Sequence, residues 1–191
     1  MEKIDLIILA AGKSERFGSL KGFALYNGKP LLESAIQLHQ NNFLGKTIVI
    51  FSQSSEQYRI LLEKKYPEVI FIENKNPEFG PFSSLQVGIS ASDTNYFFIL
   101  PVDCPCRDVE TWKLLHQQVS EHKLCIKPSF KNKGGHPIII NLQLKKIIEN
   151  SSPENNLKNI LHHLNLNQIQ YLEVADPLIL KNINSTKDIS S

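Results

Sequence analysis

Short apolar segments alternate with amphipathic segments along the first two thirds of the chain. A continuous apolar run is typical of a strand buried on both faces, and apolar residues spaced three or four apart are typical of a helix with one buried side. The predicted strands lie at residues 4–10, 46–51, 69–73 and 96–100. The predicted helices lie at residues 30–40, 55–65, 82–90 and 109–119. This order predicts a parallel sheet with helices on both faces.

The alternation changes after residue 124. Strands are predicted at residues 124–127 and 138–140, helices at 142–149 and 157–164, and two short strands at 169–174 and 178–181. No linker, repeat or low-complexity tract sets this part apart, so we expect it to extend the same sheet, with an antiparallel strand as one option. The sequence therefore predicts a single domain over residues 1–191, with a three-layer, Rossmann-like, mostly parallel α/β fold.

The composition fits a globular domain with a substantial core, since 41% of the 191 residues are hydrophobic and 21% are charged. The 21 Lys and Arg nearly balance the 19 Asp and Glu, which argues against a protein held to nucleic acid or membrane by charge. The odd number of cysteines, 3, argues against a disulfide framework, and the apolar stretches are too short for a signal or a membrane span. We therefore expect a cytoplasmic protein that is a monomer or a weak dimer.

The first candidate site is the loop after the first strand, where residues 9–21 read LAAGKSERFGSLK. In an open α/β sheet ligands lie beyond the carboxyl ends of the strands, so this loop is well placed to bind one. It brings glycine amides, a hydroxyl and two cations close together, as a triphosphate requires. These residues are Gly12, Ser14, Arg16, Gly18 and Lys21. The dinucleotide fingerprint and the P-loop pattern are both absent from the loop.

The pattern L-A-A-G-x-S-x-R-x-G-x-x-K resembles the opening loop of the MobA/MocA-like nucleotidyltransferases, and residues 28–32 resemble that family's entry to its first helix. The resemblance implies a fold of the nucleotide-diphospho-sugar transferase type and transfer of a nucleoside monophosphate from an NTP to a small phosphorylated acceptor such as molybdopterin, with release of pyrophosphate. The Ala-Ala-Gly form of residues 10–12 accompanies pyrimidine nucleotides in this family, and a Leu-Ala-Gly-Gly form accompanies guanine nucleotides. The resemblance therefore favours CTP.

The resemblance also implies which residues bind the nucleotide. Arg16 and Lys21 would neutralise the β- and γ-phosphates and the leaving pyrophosphate. Residues 76–88, which read NPEFGPFSSLQVG, resemble the family's second nucleotide-contacting segment, although the two serines there also suit a helix cap. The implied nucleotide-binding residues are Leu9, Ala10, Ala11, Gly12, Ser14, Gly80, Ser83, Ser84 and Gly88.

A magnesium site is expected at Asp103, which follows the most apolar predicted strand, because Mg²⁺ takes oxygen ligands and often only one or two carboxylates. Residues 182–188 resemble the family's closing motif, which implies Asn184 as the second protein ligand of the metal. The family usually has glycine where this chain has Val102, and a turn-forming role for Asp103 is the alternative. Cys104 and Cys106 lack the ligand spacing of a zinc site.

The acceptor is expected near Gly135-His136-Pro137, a tripeptide that the cytidylyl members of the family also carry before a strand. His136 would contact the acceptor or its phosphate, and a structural histidine bonded to the backbone is the alternative. Lys131 and Lys133 add positive charge nearby or are simply solvated. Residues 151–161 lack the Gly-, Arg- and acid-containing segment of the molybdopterin-using members, which leaves other phosphorylated acceptors open.

Three other functions compete with cytidylyl transfer. One is guanylyl transfer, or nucleotidyl transfer to a sugar phosphate, on the same fold. Another is a regulatory protein that binds a nucleotide without turnover, which the altered residues near Asp103 and Asn184 would suit. An NAD-dependent oxidoreductase is disfavoured because the dinucleotide fingerprint is absent. Arg16, Lys21 and Asp103 together favour a magnesium-dependent enzyme, since a protein that only binds has less need of all three.

Overall fold

The computed structural model describes residues 2–12 and 21–189. Its strands are β1 (Asp5–Leu9), β2 (Leu25–Tyr26), β3 (Lys29–Pro30), β4 (Thr47–Phe51), β5 (Ile70–Glu73), β6 (Tyr96–Pro101), β7 (Cys125–Phe130), β8 (Lys133–Gly134), β9 (Ile138–Asn141) and β10 (Ile169–Glu173). Its α-helices are α1 (Leu31–Asn42), α2 (Glu56–Lys65), α3 (Pro81–Ser90), α4 (Val109–Gln117), α5 (Leu142–Glu149) and α6 (Leu157–His162). Short 3-10 helices lie at Lys21–Phe23, Gln53–Ser55, Pro77–Phe79, Leu166–Gln168, Pro177–Leu180 and Thr186–Ile189.

One twisted sheet runs through the molecule in the strand order β10-β7-β9-β6-β1-β4-β5, and β8 pairs with β7. The strands β5, β4, β1 and β6 are mutually parallel, as the alternation of strands and helices predicts. The strand β9 runs antiparallel to both β6 and β7, while β10 is parallel to β7. The last third therefore extends the same sheet through an antiparallel strand, as anticipated. The strands β2 and β3 form a separate small hairpin.

Helices cover both faces of the sheet, which confirms the predicted three-layer fold. Alternate residues of β1 point to opposite sides: Leu6 and Ile8 pack with α1, α2 and α4, whereas Ile7 packs with α3, α5 and α6. Because β1, β4 and β6 are buried on both faces, their sequences are mostly continuous apolar runs. The two hydrophobic layers lie on either side of one sheet, whose carboxyl-terminal edge carries the loops described below.

One predicted strand is wrong. Residues 178–181 form part of the 3-10 helix Pro177–Leu180. The Asp176 side chain accepts a hydrogen bond from the Leu178 amide at 2.9 Å, and Pro177 fixes the first position of the turn. This local capping overrides the apolar pattern of the segment. The turn still contributes to the core, because Ile179 is 2% exposed.

Candidate functional site

A cavity of about 490 Å³ opens at the carboxyl ends of the parallel strands. Its volume is that of a small-molecule site. The loop after β1 contributes Leu9, Ala10, Ala11, Gly12 and Lys21 to its wall. The strand β6 and the segment after it contribute Pro101, Val102 and Asp103, and the chain returns near its end with Asn184. The cavity therefore brings together residues from three widely separated parts of the sequence.

Two of the predicted site residues, Ser14 and Arg16, lie outside the described residues. So does Gly18, whereas the described residues of this loop, 9–12 and 21, line the cavity. The Ala10 amide donates to the Ile50 carbonyl of β4 at 2.8 Å, and the Val102 amide donates to the Leu9 carbonyl at 3.1 Å. These bonds hold the start of the loop between β4 and the end of β6.

The most informative geometry in the cavity is the convergence of three polar side chains on one point. The Lys21 ammonium lies 3.0 Å from Oδ2 of Asp103 and 2.8 Å from Oδ1 of Asn184. Both oxygens therefore face the same small volume, and a positive group already lies between them. This is the arrangement of oxygen donors that a cation requires.

The position of Asn184 is set by the residue before it. The Ile183 amide donates to the Asp103 carbonyl at 2.8 Å, and the Ile183 side chain is completely buried beside Ala24 and Leu31. On the other side of Asn184, the Asp188 carboxylate accepts hydrogen bonds from the amides of residues 184 and 185. These bonds lower the pKa of Asp188. The closing motif is thus a capped turn fastened to the loop that carries Asp103.

Arg107 holds that loop from inside the protein, a role that the sequence analysis missed. Its guanidinium donates to the carbonyls of Cys104 at 2.9 Å and Cys106 at 2.7 Å. It also donates to the Leu31 carbonyl at 2.8 Å and to the Ser34 hydroxyl at 3.0 Å. Burial lowers the pKa of Arg107. The planar guanidinium thereby connects the segment after β6 to the first turn of α1 and fixes the backbone near Asp103.

Val102, where the family usually has glycine, packs against the first loop. Its Cγ2 would lie 3.2 Å from a Cβ placed on Gly22, the residue after Lys21. Val102 is 8% exposed, so its side chain belongs to the core as well as to the cavity wall. The departure from the family pattern therefore adds packing between the two segments that carry Asp103 and Lys21.

The second nucleotide segment is organised by Asn74, which the sequence analysis also missed. Asn74 is 2% exposed, and its amide nitrogen donates to the hydroxyls of Ser83 and Ser84 at 2.9 Å. The Ser83 hydroxyl donates to the Gly80 carbonyl at 2.8 Å, so Ser83 braces the turn before α3. Of these residues Gly80 and Ser84 line the cavity, whereas Ser83 lies behind it.

Gly88, which was predicted to contact the nucleotide, packs closely against β1. A Cβ at this position would lie 2.4 Å from Cγ2 of Ile7 in β1, so only glycine lets α3 approach the sheet this closely. Gly88 is buried and does not line the cavity. The close contact between α3 and β1 therefore accounts for the glycine at position 88.

The part of the cavity beyond the first loop is apolar. Val49 and Phe51 of β4, Phe71 of β5 and Leu62 of α2 line it. The Arg59 guanidinium lies over the Phe51 ring, 5.5 Å from its centre, and makes ion pairs with Glu56 and Glu63. Apolar walls with few polar groups suit a flat base or another weakly polar part of a ligand.

His136 lies beside the cavity but not in its wall. Its amide donates to the Ile179 carbonyl at 2.9 Å, and no partner within the described chain bonds the buried Nδ1 of its ring. Burial, aided by the charge of Lys127, lowers the pKa of His136 to about 4, while the charge of Asp103 and a hydrogen bond to the Ile99 backbone act in the opposite direction. The ring is therefore close enough to both Lys127 and Asp103 to respond to their charges.

Lys131 and Lys133, which were considered for acceptor binding, are exposed and do not line the cavity. The Lys131 ammonium lies over the Phe130 ring, 5.4 Å from its centre. The three cysteines are buried free thiols, and burial raises the pKa of Cys104 to about 11, which makes it a poor nucleophile.

Residues 2–12 and 21–189 lack two features, a cluster of metal-binding side chains and a helix that could cross a membrane. No group of three or more His, Cys, Asp or Glu side chains that could hold a metal occurs there. A Mg²⁺ site completed by phosphates and water does not need such a group. No helix in this part of the chain has the length and apolar character to span a membrane.

Comparisons with known proteins identify the family of this chain. Residues 6–169 match the family described as the MobA-like NTP transferase domain. A probable molybdenum cofactor guanylyltransferase of Methanocaldococcus jannaschii is 27% identical over 200 residues, covering 96% of this chain and 95% of that protein. A protein of the same description from Flavobacterium johnsoniae is 28% identical over 196 residues, covering 100% of this chain and 96% of that protein.

Solved structures show the same fold. The molybdopterin-guanine dinucleotide biosynthesis protein A of Archaeoglobus fulgidus superposes with a TM-score of 0.72 at 17% sequence identity. The superposition covers 98% of this chain and 95% of that one. The order of strands and helices is thus shared along nearly the whole of both chains.

Proposed function

This chain belongs to the MobA-like NTP transferase family, and from that premise we propose that it transfers GMP from GTP to molybdopterin, with release of pyrophosphate. The observation that carries the proposal is the convergence of Lys21, Asp103 and Asn184 at the mouth of a cavity formed by the first loop. The described relatives, which match over almost their full lengths, are named as molybdenum cofactor guanylyltransferases.

The names of these relatives favour GTP over the CTP that the Ala-Ala-Gly form predicts. The argument for CTP supposes that an alanine side chain narrows the slot for the base. Ala11 is 3% exposed and packs with the second hydrophobic layer, so its methyl group takes little room from the ligand. A guanine base therefore remains compatible with the loop, and GTP is the nucleotide that we propose.

Asp103 and Asn184 would hold Mg²⁺ in this enzyme. Their oxygens lie within 3.0 Å of one ammonium nitrogen, so they already converge at the spacing that a shared cation demands. Mg²⁺ bound there would neutralise charge on the phosphates of the nucleotide. With Asp103 and Asn184 holding the metal, the Lys21 ammonium would be available to contact the phosphates.

The protein's contribution to the reaction is positioning and charge. An oxygen of the acceptor phosphate forms a bond to the α-phosphorus of GTP, and the bond from that phosphorus to the bridging oxygen breaks, so that pyrophosphate leaves. The acceptor phosphate is already ionised near neutral pH and needs no general base. Lys21, together with Arg16, would neutralise the developing charge on pyrophosphate, and the amides of the first loop would orient the nucleotide.

Calorimetry with GTP, CTP, UTP and ATP, each with and without Mg²⁺, tests the nucleotide, and incubation with each NTP and molybdopterin tests the transfer. We expect GTP to bind most tightly, only with Mg²⁺, and to yield the guanine dinucleotide of molybdopterin. Preferred binding of CTP would reject guanylyl transfer and would support the CTP specificity predicted from the Ala-Ala-Gly form of the first loop. Binding of a nucleotide without transfer to molybdopterin or to other small phosphates would indicate a regulatory protein.

A further inference from the structure

We propose that Arg59 reads the base of the nucleotide, with two of its N–H groups donating to the O6 and N7 acceptors on one edge of guanine. The inference rests on the proposed function, because it names the residue that would select guanine at the same site. Arg59 lines the cavity, but it was not selected from the sequence, and the proposed transfer step does not use it.

Arg59 lies at the end of the cavity that is away from the proposed metal site. The side chains that line this end are Val49, Phe51, Ser55, Arg59, Leu62 and Phe71. Strands β6, β1 and β4 are consecutive neighbours, so Phe51 of β4 lies about 10 Å from the line of β6, which leads to Asp103, at about 4.8 Å per strand. A nucleotide whose phosphates lie at Asp103 can therefore extend its base along the cavity towards Arg59.

Two carboxylates on its own helix hold Arg59 in one orientation. Its Nε and one terminal nitrogen donate to the Glu56 carboxylate at 3.0 Å and 2.5 Å, and the other terminal nitrogen donates to Glu63. The guanidinium lies over the Phe51 ring, 5.5 Å from its centre. Because the planar group is already positioned, it loses little conformational freedom when it bonds a ligand.

The Arg59 guanidinium keeps two donors for a ligand. A guanidinium has five N–H bonds, and three of those of Arg59 go to the two glutamates. The other two have no acceptor among the residues that the structure describes. The side chain is 22% exposed and lines the cavity, so a ligand in the cavity can reach it.

The charge of this cluster favours a neutral part of the nucleotide over its phosphates. Glu56 and Glu63 both pair with the one guanidinium, which leaves an excess of negative charge. A triphosphate beside the cluster would be repelled by that excess. A base carries no charge, its acceptor atoms bond N–H groups, and its flat faces suit apolar walls. The base is therefore the part of the nucleotide that fits beside Arg59.

Guanine suits a pair of N–H donors better than adenine or cytosine does. Its O6 and N7 are both acceptors, and arginine bonds this pair with two hydrogen bonds when proteins recognise guanine in DNA. Adenine has a donor amino group in place of O6, and cytosine has a donor amino group and lacks N7. Arg59 thus gives a physical reason for GTP that is independent of Ala10 and Ala11.

The test is calorimetry of the full chain with Mg²⁺ and GTP, 7-deaza-GTP, ATP or CTP. In 7-deaza-GTP a C–H group replaces N7, so one of the two proposed hydrogen bonds cannot form. We expect the wild type to bind 7-deaza-GTP about fivefold more weakly than GTP, which is the effect of one hydrogen bond. This comparison needs no substitution, so it does not depend on how well a variant folds.

Arg59→Met should weaken GTP about tenfold more than CTP, and it should bind GTP and 7-deaza-GTP equally. Arg59→Lys keeps the charge but lacks the planar pair of donors, and it should also lose the distinction between GTP and 7-deaza-GTP. Lys64→Met removes an equal charge from an exposed position on the same helix and should bind all four nucleotides like the wild type.

Equal binding of GTP and 7-deaza-GTP by the wild type, or a uniform loss for all nucleotides in Arg59→Met, would overturn the base contact. A wild type that still prefers GTP would then leave guanylyl transfer standing. The same samples are incubated with GTP and molybdopterin. Selective GTP binding that depends on Arg59, without transfer of GMP, would support the base contact and reject guanylyl transfer. A wild-type preference for CTP or ATP would overturn both.

Discussion

The backbone amide of Ile183 donates a 2.8 Å hydrogen bond to the carbonyl oxygen of Asp103. This bond joins the closing segment of the chain to the loop after β6. Because the Ile183 side chain is completely buried, the segment cannot shift without opening the small core that it shares with Ala24 and Leu31. Asn184 is therefore presented to Asp103 by a fixed backbone, and the two proposed metal ligands form one structural unit.

Replacement of Asn184 tests this unit. Asn184→Ala removes one of the two converging oxygens and should weaken Mg²⁺-dependent GTP binding by about tenfold, as expected for a loss of about 1.4 kcal/mol. Asn184→Asp keeps an oxygen in the same place and should retain the binding, because Mg²⁺ accepts a carboxylate. Calorimetry at several Mg²⁺ concentrations measures both. Asn182→Ala, at an exposed neighbouring position, is the control, and wild-type affinity in Asn184→Ala would remove Asn184 from the metal site.

Arg107 should matter for both stability and catalysis. Arg107→Met leaves three carbonyl oxygens and the Ser34 hydroxyl without this donor. We expect a loss of about 2–4 kcal/mol in the free energy of unfolding, because buried hydrogen bonds from a charged donor are among the stronger ones. Urea denaturation measures the change, and kcat should also fall since the Asp103 loop loses its support. Lys158→Met, at an exposed position on α6, should lower neither the free energy of unfolding nor kcat, and identical urea midpoints for Arg107→Met and wild type would contradict this role.

The sequence predicted best those strands that are buried on both faces, because burial requires a continuous run of apolar residues. Strands β1, β4 and β6 are buried on both faces, so their apolar runs are unambiguous. The two-residue strands β2, β3 and β8 are too short to show a period of two. Residues 178–181 were misjudged because the apolar side chains of a capped 3-10 turn pack into the core as those of a strand do.

In the candidate site, too, some residues could be predicted from the sequence and others could not. Lys21, Asp103 and Asn184 were selected because they lie in motifs, and the structure brings them within hydrogen-bonding distance. Arg107 and Asn74 were not selected, because they act on backbone atoms and on side chains that only the fold places beside them. Gly88 was selected for a nucleotide contact but packs against Ile7 outside the cavity wall, and the sequence alone does not distinguish a glycine needed for close packing from one needed for ligand contact.

Substitutions at Gly88 and Gly12 test whether each glycine is needed for close packing or for ligand contact. Gly88→Ala places a methyl group 2.4 Å from Cγ2 of Ile7 and should destabilise the fold by about 1–3 kcal/mol, as overpacking does. Gly12→Ala meets no described atom within 4 Å and should leave stability nearly unchanged while weakening nucleotide binding. Urea denaturation and calorimetry on both variants measure the two effects. Weakened GTP binding in a stable Gly88→Ala protein would restore Gly88 to the nucleotide site.

His136 should make the protein sensitive to acid. Its pKa is lowered by burial from 6.5 to about 4, with Lys127 adding to the shift and Asp103 opposing it. In the unfolded chain the imidazole takes up a proton below its ordinary pKa, whereas in the folded protein it stays neutral until near pH 4. The unfolded state therefore binds more protons between these two values, and stability falls as the pH falls through that window.

The measurement is urea unfolding of wild type and His136→Gln at about pH 7 and about pH 4.5, where we expect the wild type to lose about 2 kcal/mol more than the variant. His39 and His116, whose pKa values burial also lowers, titrate in both proteins, so their contribution cancels in the difference. Glutamine is neutral throughout and retains a polar group in the same place. If the two proteins lose equal stability, the imidazole is charged in the folded state at mildly acidic pH and its environment is more open than the structure indicates.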